Sequence, residues 1–175
     1  MAALAALATP SAAQDTLTQD EALRLAFPPP LSVERRTAFL SEEELGRARA
    51  LAGRNVEIER SVVNYYVGMD GGRVSGYAYF DAHVVRTLPE VLMVVVTPAG
   101  AISRVEILRF SEPPEYRAPE GWLETFGGHT LTDALSVKRD IVNMTGATLT
   151  SRAVTRAARR VLALHRVVRE REEAP

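Results

Sequence analysis

The residues best suited to chemistry are Thr145-Gly146-Ala147-Thr148-Leu149-Thr150-Ser151, which set four hydroxyls and two small side chains directly before a long run of helical periodicity. The first backbone N–H groups of a helix have no intrahelical acceptor, and the positive end of the helix dipole lies at the same place. A phosphate group is held well there, and Gly146 and Ala147 would let the backbone approach it closely. The same residues would also serve a plain helix start, with Thr150 or Ser151 as N-cap and Gly146 in the turn. On the residues alone both readings stand.

Other chemistry-bearing groups are scattered. His83 and Arg86 lie close together after a strand, where Arg86 suits a phosphate and His83 a hydrogen-bonding pair. His129 follows Gly127-Gly128 and reads as a turn cap, while His165 falls on an apolar helix stripe. Three histidines so dispersed give no metal or haem spacing. With no cysteine in the chain, disulfides, thiolate catalysis and cysteine-held clusters are excluded. A redox role must then use an organic cofactor. The net charge is −1, which recruits neither nucleic acid nor an anionic membrane. Arg152, Arg156, Arg159 and Arg160 form a basic face on the last helix, either solvated or a docking surface for an acidic partner.

The elements that must position these residues follow from periodicity. Ala22, Leu23, Leu25 and Ala26 mark a helix that stops at Pro28-Pro29-Pro30. Ser41 and Glu44 have capping-box form before Leu45, Ala48, Leu51 and Ala52, and Gly53 ends that helix. From Ile58 the pattern changes to strands, Ile58–Val67 and Arg73–Phe80 about the turn Met69-Asp70-Gly71-Gly72, then Glu90–Thr97 and Ile102–Phe110. The last alternates with a slip at Leu108. A proline-rich loop (Ser111–Pro119), a short helix (Glu120–Phe126) and a helix from about Ser151 to Arg171 complete the chain. The expectation is an α+β fold: an antiparallel sheet of about four strands, a long C-terminal helix packed on it, and an N-terminal helical appendage.

Met1–Ala13 is small and apolar and ends in Ser11-Ala12-Ala13, as a truncated signal peptide would. No other run approaches the roughly 20 apolar residues of a membrane span. The expected organisation is therefore a signal at 1–13, a helical extension at 14–55, a domain at 56–171 and a charged tail at 172–175, exported as a soluble protein.

Thr145-Gly146-Ala147-Thr148-Leu149-Thr150 resembles the flavinylation signature [ST]-G-A-T-x-[ST] of the FMN-binding domain family, which includes periplasmic subunits of Rnf and sodium-pumping NADH:quinone oxidoreductase complexes. The loop Glu112-Pro113-Pro114-Glu115-Tyr116, followed by Trp122, is similar in part to the E-T-P loop found upstream in that family. The resemblance implies FMN esterified through its phosphate to Thr148. Thr145, Gly146, Ala147, Leu149 and Thr150 would surround it, and Glu112, Tyr116 and Trp122 would line the ring. It further implies a maturing FMN transferase that uses FAD, a periplasmic location and a membrane-bound redox partner. Where the family tends to carry an acid, three residues before the core, this chain has Val142, with Asp140 two residues earlier. The alternative function is a non-redox sensory or structural domain of the same fold without flavin.

Overall fold

The computed structural model describes residues 16–132, 134–137 and 139–173. The proposed signal segment, 1–13, lies outside them. Five strands form one antiparallel meander in chain order: β1 (Ser32–Phe39), β2 (Val62–Asp70), β3 (Arg73–Val84), β4 (Pro89–Val96) and β5 (Ile102–Phe110). Four helices accompany them: α1 (Gln19–Ala26), α2 (Glu42–Ala52), α3 (Glu120–Leu123) and α4 (Thr148–Glu173).

The α+β reading holds, with one strand more than the sequence suggested. β1 pairs along its length with β2, from Ser32↔Met69 to Phe39↔Val62. It escaped notice because SVERRTAF lacks an apolar alternation; the strand lies at the sheet edge, with six of its eight residues exposed. The arginines and glutamate on that edge suit it to remaining unpaired by another chain.

Each face of the sheet has its own core. One face carries α4 and α2, with Tyr77, Leu92, Val94, Ile107 and Phe110 beneath Val154, Ala157, Ala158 and Val161. The other face is covered by α1, where Ala22, Leu23 and Phe27 pack on Ala78, Met93, Val95 and Leu108. This two-sided burial explains why β4 reads as an unbroken apolar run, Val91–Val96. The slip at Leu108 is a β-bulge: Val91 pairs with Arg109 but Leu92 with Ile107, so Leu108 turns to the α1 face while Ile107 and Phe110 face α4.

The helix starts obey their sequence signals at α1 and α2. Thr18 with Glu21, and Ser41 with Glu44, form reciprocal capping boxes. Gly71 and Gly72, both at positive φ, close the two-residue β2–β3 hairpin. Gly68 is needed for a different reason. A β-carbon there would lie 2.3 Å from the ring of Phe27, the residue that follows α1, so only glycine lets that ring approach β2 so closely. Gly68→Ala should lower unfolding stability by about 1–3 kcal/mol through this overpacking, read as a shift in urea midpoint with unchanged slope.

β2 and β3 run together only from Tyr65↔Tyr79 to the hairpin. Beyond that point Val62–Asn64 pair with β1 alone and Phe80–Val84 with β4 alone. The sheet forks, and a cleft of about 750 Å³ opens between the two arms, floored by the 55–60 segment and α4. Among the described residues no helix is long and apolar enough to cross a membrane.

Candidate functional site

The seven-residue segment sits where the loop after α3 feeds into α4. Met144 C=O accepts from Ala147 N–H at 3.2 Å, closing a turn in which Gly146 takes φ +82°. That is the glycine-favouring third position of a type II turn. The helix then begins at Thr148, three residues earlier than periodicity suggested. Ala147 C=O accepts from Ser151 N–H, so Ala147 occupies the capping position and offers no side-chain oxygen.

The hydroxyls divide sharply in consequence. Thr150 and Ser151 lie inside the first turn and are buried. Thr150 Oγ1 donates to Tyr116 C=O at 2.7 Å. Ser151 Oγ accepts from Met144 N–H at 3.0 Å and donates to Ala147 C=O. Neither is the N-cap, because both are committed to positioning the preceding loop. Thr148 is half-buried at the helix mouth, with Asn143 Nδ2 donating to its Oγ1 at 3.1 Å. Thr145 and Leu149 are exposed.

Of the three ring-lining candidates, contacts bring Tyr116 to this segment and Trp122 to the residues just before it. Tyr116 is tied to Thr150 through its carbonyl, and its half-buried ring packs at the edge of the α4-side core. Trp122 Nε1 donates to Val142 C=O at 2.7 Å while its ring meets Phe126 edge to face at 5.2 Å. With 8% of its surface exposed, Trp122 is a buried strut for the approach to the turn. Trp122→Phe should cost about 1 kcal/mol and speed amide exchange across residues 141–144, because the ring stays but its donor goes. Glu112 is held elsewhere. Its Oε1 accepts from the N–H groups of Arg86, Thr87 and Leu88 at 3.1, 2.6 and 2.8 Å, clasping the β3–β4 turn. Those backbone donors, Thr87 and Leu88 foremost, keep its carboxyl below the ordinary glutamate range.

His83 also has a different occupation. Asp81 and His83 share the α4 face of β3, and Glu90 lies opposite His83 on β4. The imidazole bridges Asp81 Oδ1 at 2.8 Å and Glu90 Oε2 at 2.9 Å, and Arg160 grips both Asp81 oxygens. Burial alone would lower its pKa, but hydrogen bonds and charge from Asp81 and Glu90 outweigh it and hold it up at about 9. The Asp81–His83 half of this bridge is readable as an i, i+2 pattern in Asp81-Ala82-His83. Glu90 needed the strand register.

One participant, Asn143, was missed in the sequence, and Ala147 was not foreseen as the capping position. Asn143 contacts Thr148, and among the described residues its buried Oδ1 has no hydrogen-bond partner. Ala147 leaves the helix uncapped. The available clue was an asparagine two residues before the signature, a type that favours turns.

Residues 89–163 match the FMN-binding domain family. The fold agrees: the NqrC of Shewanella oneidensis, known as a crystal structure, is similar with a TM-score of 0.59 over 87% of this chain and 91% of that one. At 17% identity that likeness speaks for the fold alone. No curated protein matches the sequence.

The site fits the FMN phosphate on its own evidence. Among the described residues no side chain accepts from the N–H groups of Thr148, Leu149 or Thr150, whereas α1 and α2 are both capped. Free donors at a helix mouth favour an anion. The buried, unpartnered Asn143 Oδ1 is an acceptor left for a hydroxyl donor, such as a sugar-alcohol chain carries. Thr148, Asn143 and the first-turn amides are the groups that would hold FMN.

Proposed function

We propose that this chain is an electron-transfer flavoprotein whose FMN is phosphoester-linked to Thr148. The observation that carries the reading is the fate of the segment's hydroxyls. Thr150 and Ser151 are buried and spent on the loop, Thr145 is exposed in the turn before the helix, and Thr148 stands half-exposed on the uncapped first residue of α4. Attachment forms the bond from Thr148 Oγ1 to the FMN-side phosphorus of FAD, with AMP leaving and the hydroxyl proton passing to a base of the transferase. When bound, the isoalloxazine supplies the redox chemistry; the protein supplies anchorage and orientation. An ester would retain the flavin in a dilute compartment whatever its redox state. This suits a periplasmic carrier between a membrane-bound redox partner and an acceptor.

Val142 supports the second reading, a domain without flavin. It is 71% exposed where the family tends to carry an acid, and Asp140 lies 3.8 Å from His129 instead of at that place. The experiment is co-expression with an FMN transferase in the periplasm. The expected product is yellow and heavier by one FMN less water on the peptide containing Thr148. A colourless, unmodified product selects the second reading; a yellow colour lost on denaturation selects non-covalent FMN.

A further inference from the structure

α4 carries its arginines in two groups. Arg159 donates to the carbonyls of Ala52, Thr132 and Leu135, and Arg160 to Glu57 C=O and Asp81. Arg166, Arg169 and Arg171 pair with Glu170, with Glu172 and Glu173, and with Glu44. Arg152 and Arg156, both exposed, make no hydrogen bond or ion pair among the described residues. Their position is specific. Over the first three turns of α4, residues 148–158, all side chains are buried except Thr148, Leu149, Arg152 and Arg156. One strip of the helix therefore holds the proposed attachment residue, one apolar side chain and two uncommitted guanidinium groups.

Arg156 also lines the cleft at the β2–β3 fork, and so does Arg60, exposed and likewise without an ion pair among the described residues. At about 1.5 Å rise per residue, Arg152 lies about 6 Å along the axis from Thr148 and Arg156 about 12 Å. Arg152 is near enough to neutralise a phosphodiester on Thr148. Arg156 is a further turn away, and it and Arg60 are left for something else.

We infer that this strip and the adjoining cleft are the docking surface for an acidic redox protein, whose carboxylates meet Arg156 and Arg60 beside the flavin. The inference rests on the proposed flavin at Thr148 for its redox meaning, but the charge complementarity rests on the arginines alone. Glu57 and Glu59 also line the cleft and have no ion pair among the described residues. They set orientation, since a partner's acids must reach Arg60 and Arg156 while staying clear of Glu57 and Glu59. Unpaired cations on one face steer an acidic partner and raise its association rate, an effect that salt removes.

The test uses the double variant Arg60→Glu/Arg156→Glu, which leaves Arg152 and the attachment site intact. Arg73→Glu/Arg109→Glu is a control with the same change in net charge. Reduced, flavin-loaded protein is mixed with hexacyanoferrate(III), an anion that takes one electron, two per reduced flavin, and separately with tris(phenanthroline)cobalt(III), a cation. The expected result at low ionic strength is reoxidation slowed about tenfold with the anion and accelerated with the cation, both effects vanishing at high salt. A second arm measures binding of a fluorescent hexaglutamate peptide to protein without flavin, which the double variant should weaken about tenfold. Rates and binding equal to the parent overturn the inference, as does an equal loss in the control. If the parent takes no flavin yet binds hexaglutamate through Arg60 and Arg156, the flavin reading falls and the acidic-partner surface stands. A loaded parent indifferent to the variants gives the opposite division.

Discussion

Thr148→Val should yield a folded, colourless protein under conditions where the parent is fully flavinylated. The substitution exchanges Oγ1 for a methyl group and keeps the branched shape of the side chain. Its structural cost is the bond from Asn143 Nδ2, at 3.1 Å and half-exposed, worth about 0.5–1.5 kcal/mol. The chemical cost is total, because Thr148 Oγ1 is the only side-chain oxygen among the described residues that sits half-exposed on the first turn of α4 itself; Thr145 lies outside the helix. Thr150→Val should behave in the reverse way. Its hydroxyl is buried and donates to Tyr116 C=O, so removal strands a carbonyl and costs about 1–3 kcal/mol of stability. Flavin attachment should persist there, because Thr150 Oγ1 points into the protein. Intact mass and peptide mapping read attachment; urea denaturation reads stability. Mass found on the peptide of Thr148→Val, and none on Thr150→Val, would move the site one half-turn into the helix and contradict the hydroxyl assignments.

The contrast between these two threonines also shows how far the sequence could be read. The signature located the segment and pointed to Thr148 as the attachment candidate, but it could not tell which hydroxyls are spent on structure. That depends on a partner 34 residues away at Tyr116 and on the turn that places Ser151 under Met144. Local rules succeeded where the partners are local. The capping boxes at Thr18 and Ser41, the glycine hairpin at 71–72 and the strand ends at Ile102 and Phe110 all depend on residues within one turn or one alternation. β1 was hidden because an edge strand exposed on both faces has no apolar face to display. The start of α4 was misjudged because its cap is an alanine, a residue that carries no capping signal. Glu112 read as a ring-lining acid because its loop resembles a family motif. Its actual acceptor role at the 86–88 turn follows from the packing of β5's end against the β3–β4 connection.

His83 and His165 should give this protein a stability maximum near pH 6.5, with opposite histidines setting the two sides. His165 lies in the core, 3.0 Å from the Tyr79 hydroxyl and edge-on to that ring. Burial, assisted by the charge of Arg169, lowers its pKa from 6.5 to about 4. The unfolded chain then binds a proton that the folded one refuses, so stability falls as pH drops from 6.5 towards 4. His83 is the mirror case, a buried cation held up at about 9 by Asp81 and Glu90. Its contribution is fully present below pH 6.5 and is lost as pH rises through 9, where the folded protein must finally release the proton. At about 1.4 kcal/mol per pKa unit, each limb is on the order of 3–4 kcal/mol. His165→Phe should flatten the limb between pH 6.5 and 4, leaving the carboxylate-driven loss that begins lower. His83→Gln should remove the alkaline limb and lower stability at neutral pH, because Glu90, fully buried, loses its charged partner. Urea midpoints measured from pH 4 to 9.5 on the three proteins separate the limbs. A parent profile level between 6.5 and 9 would mean that the Asp81–His83–Glu90 bridge does not hold a proton, and that Arg160 alone neutralises the buried carboxylates of this sheet end.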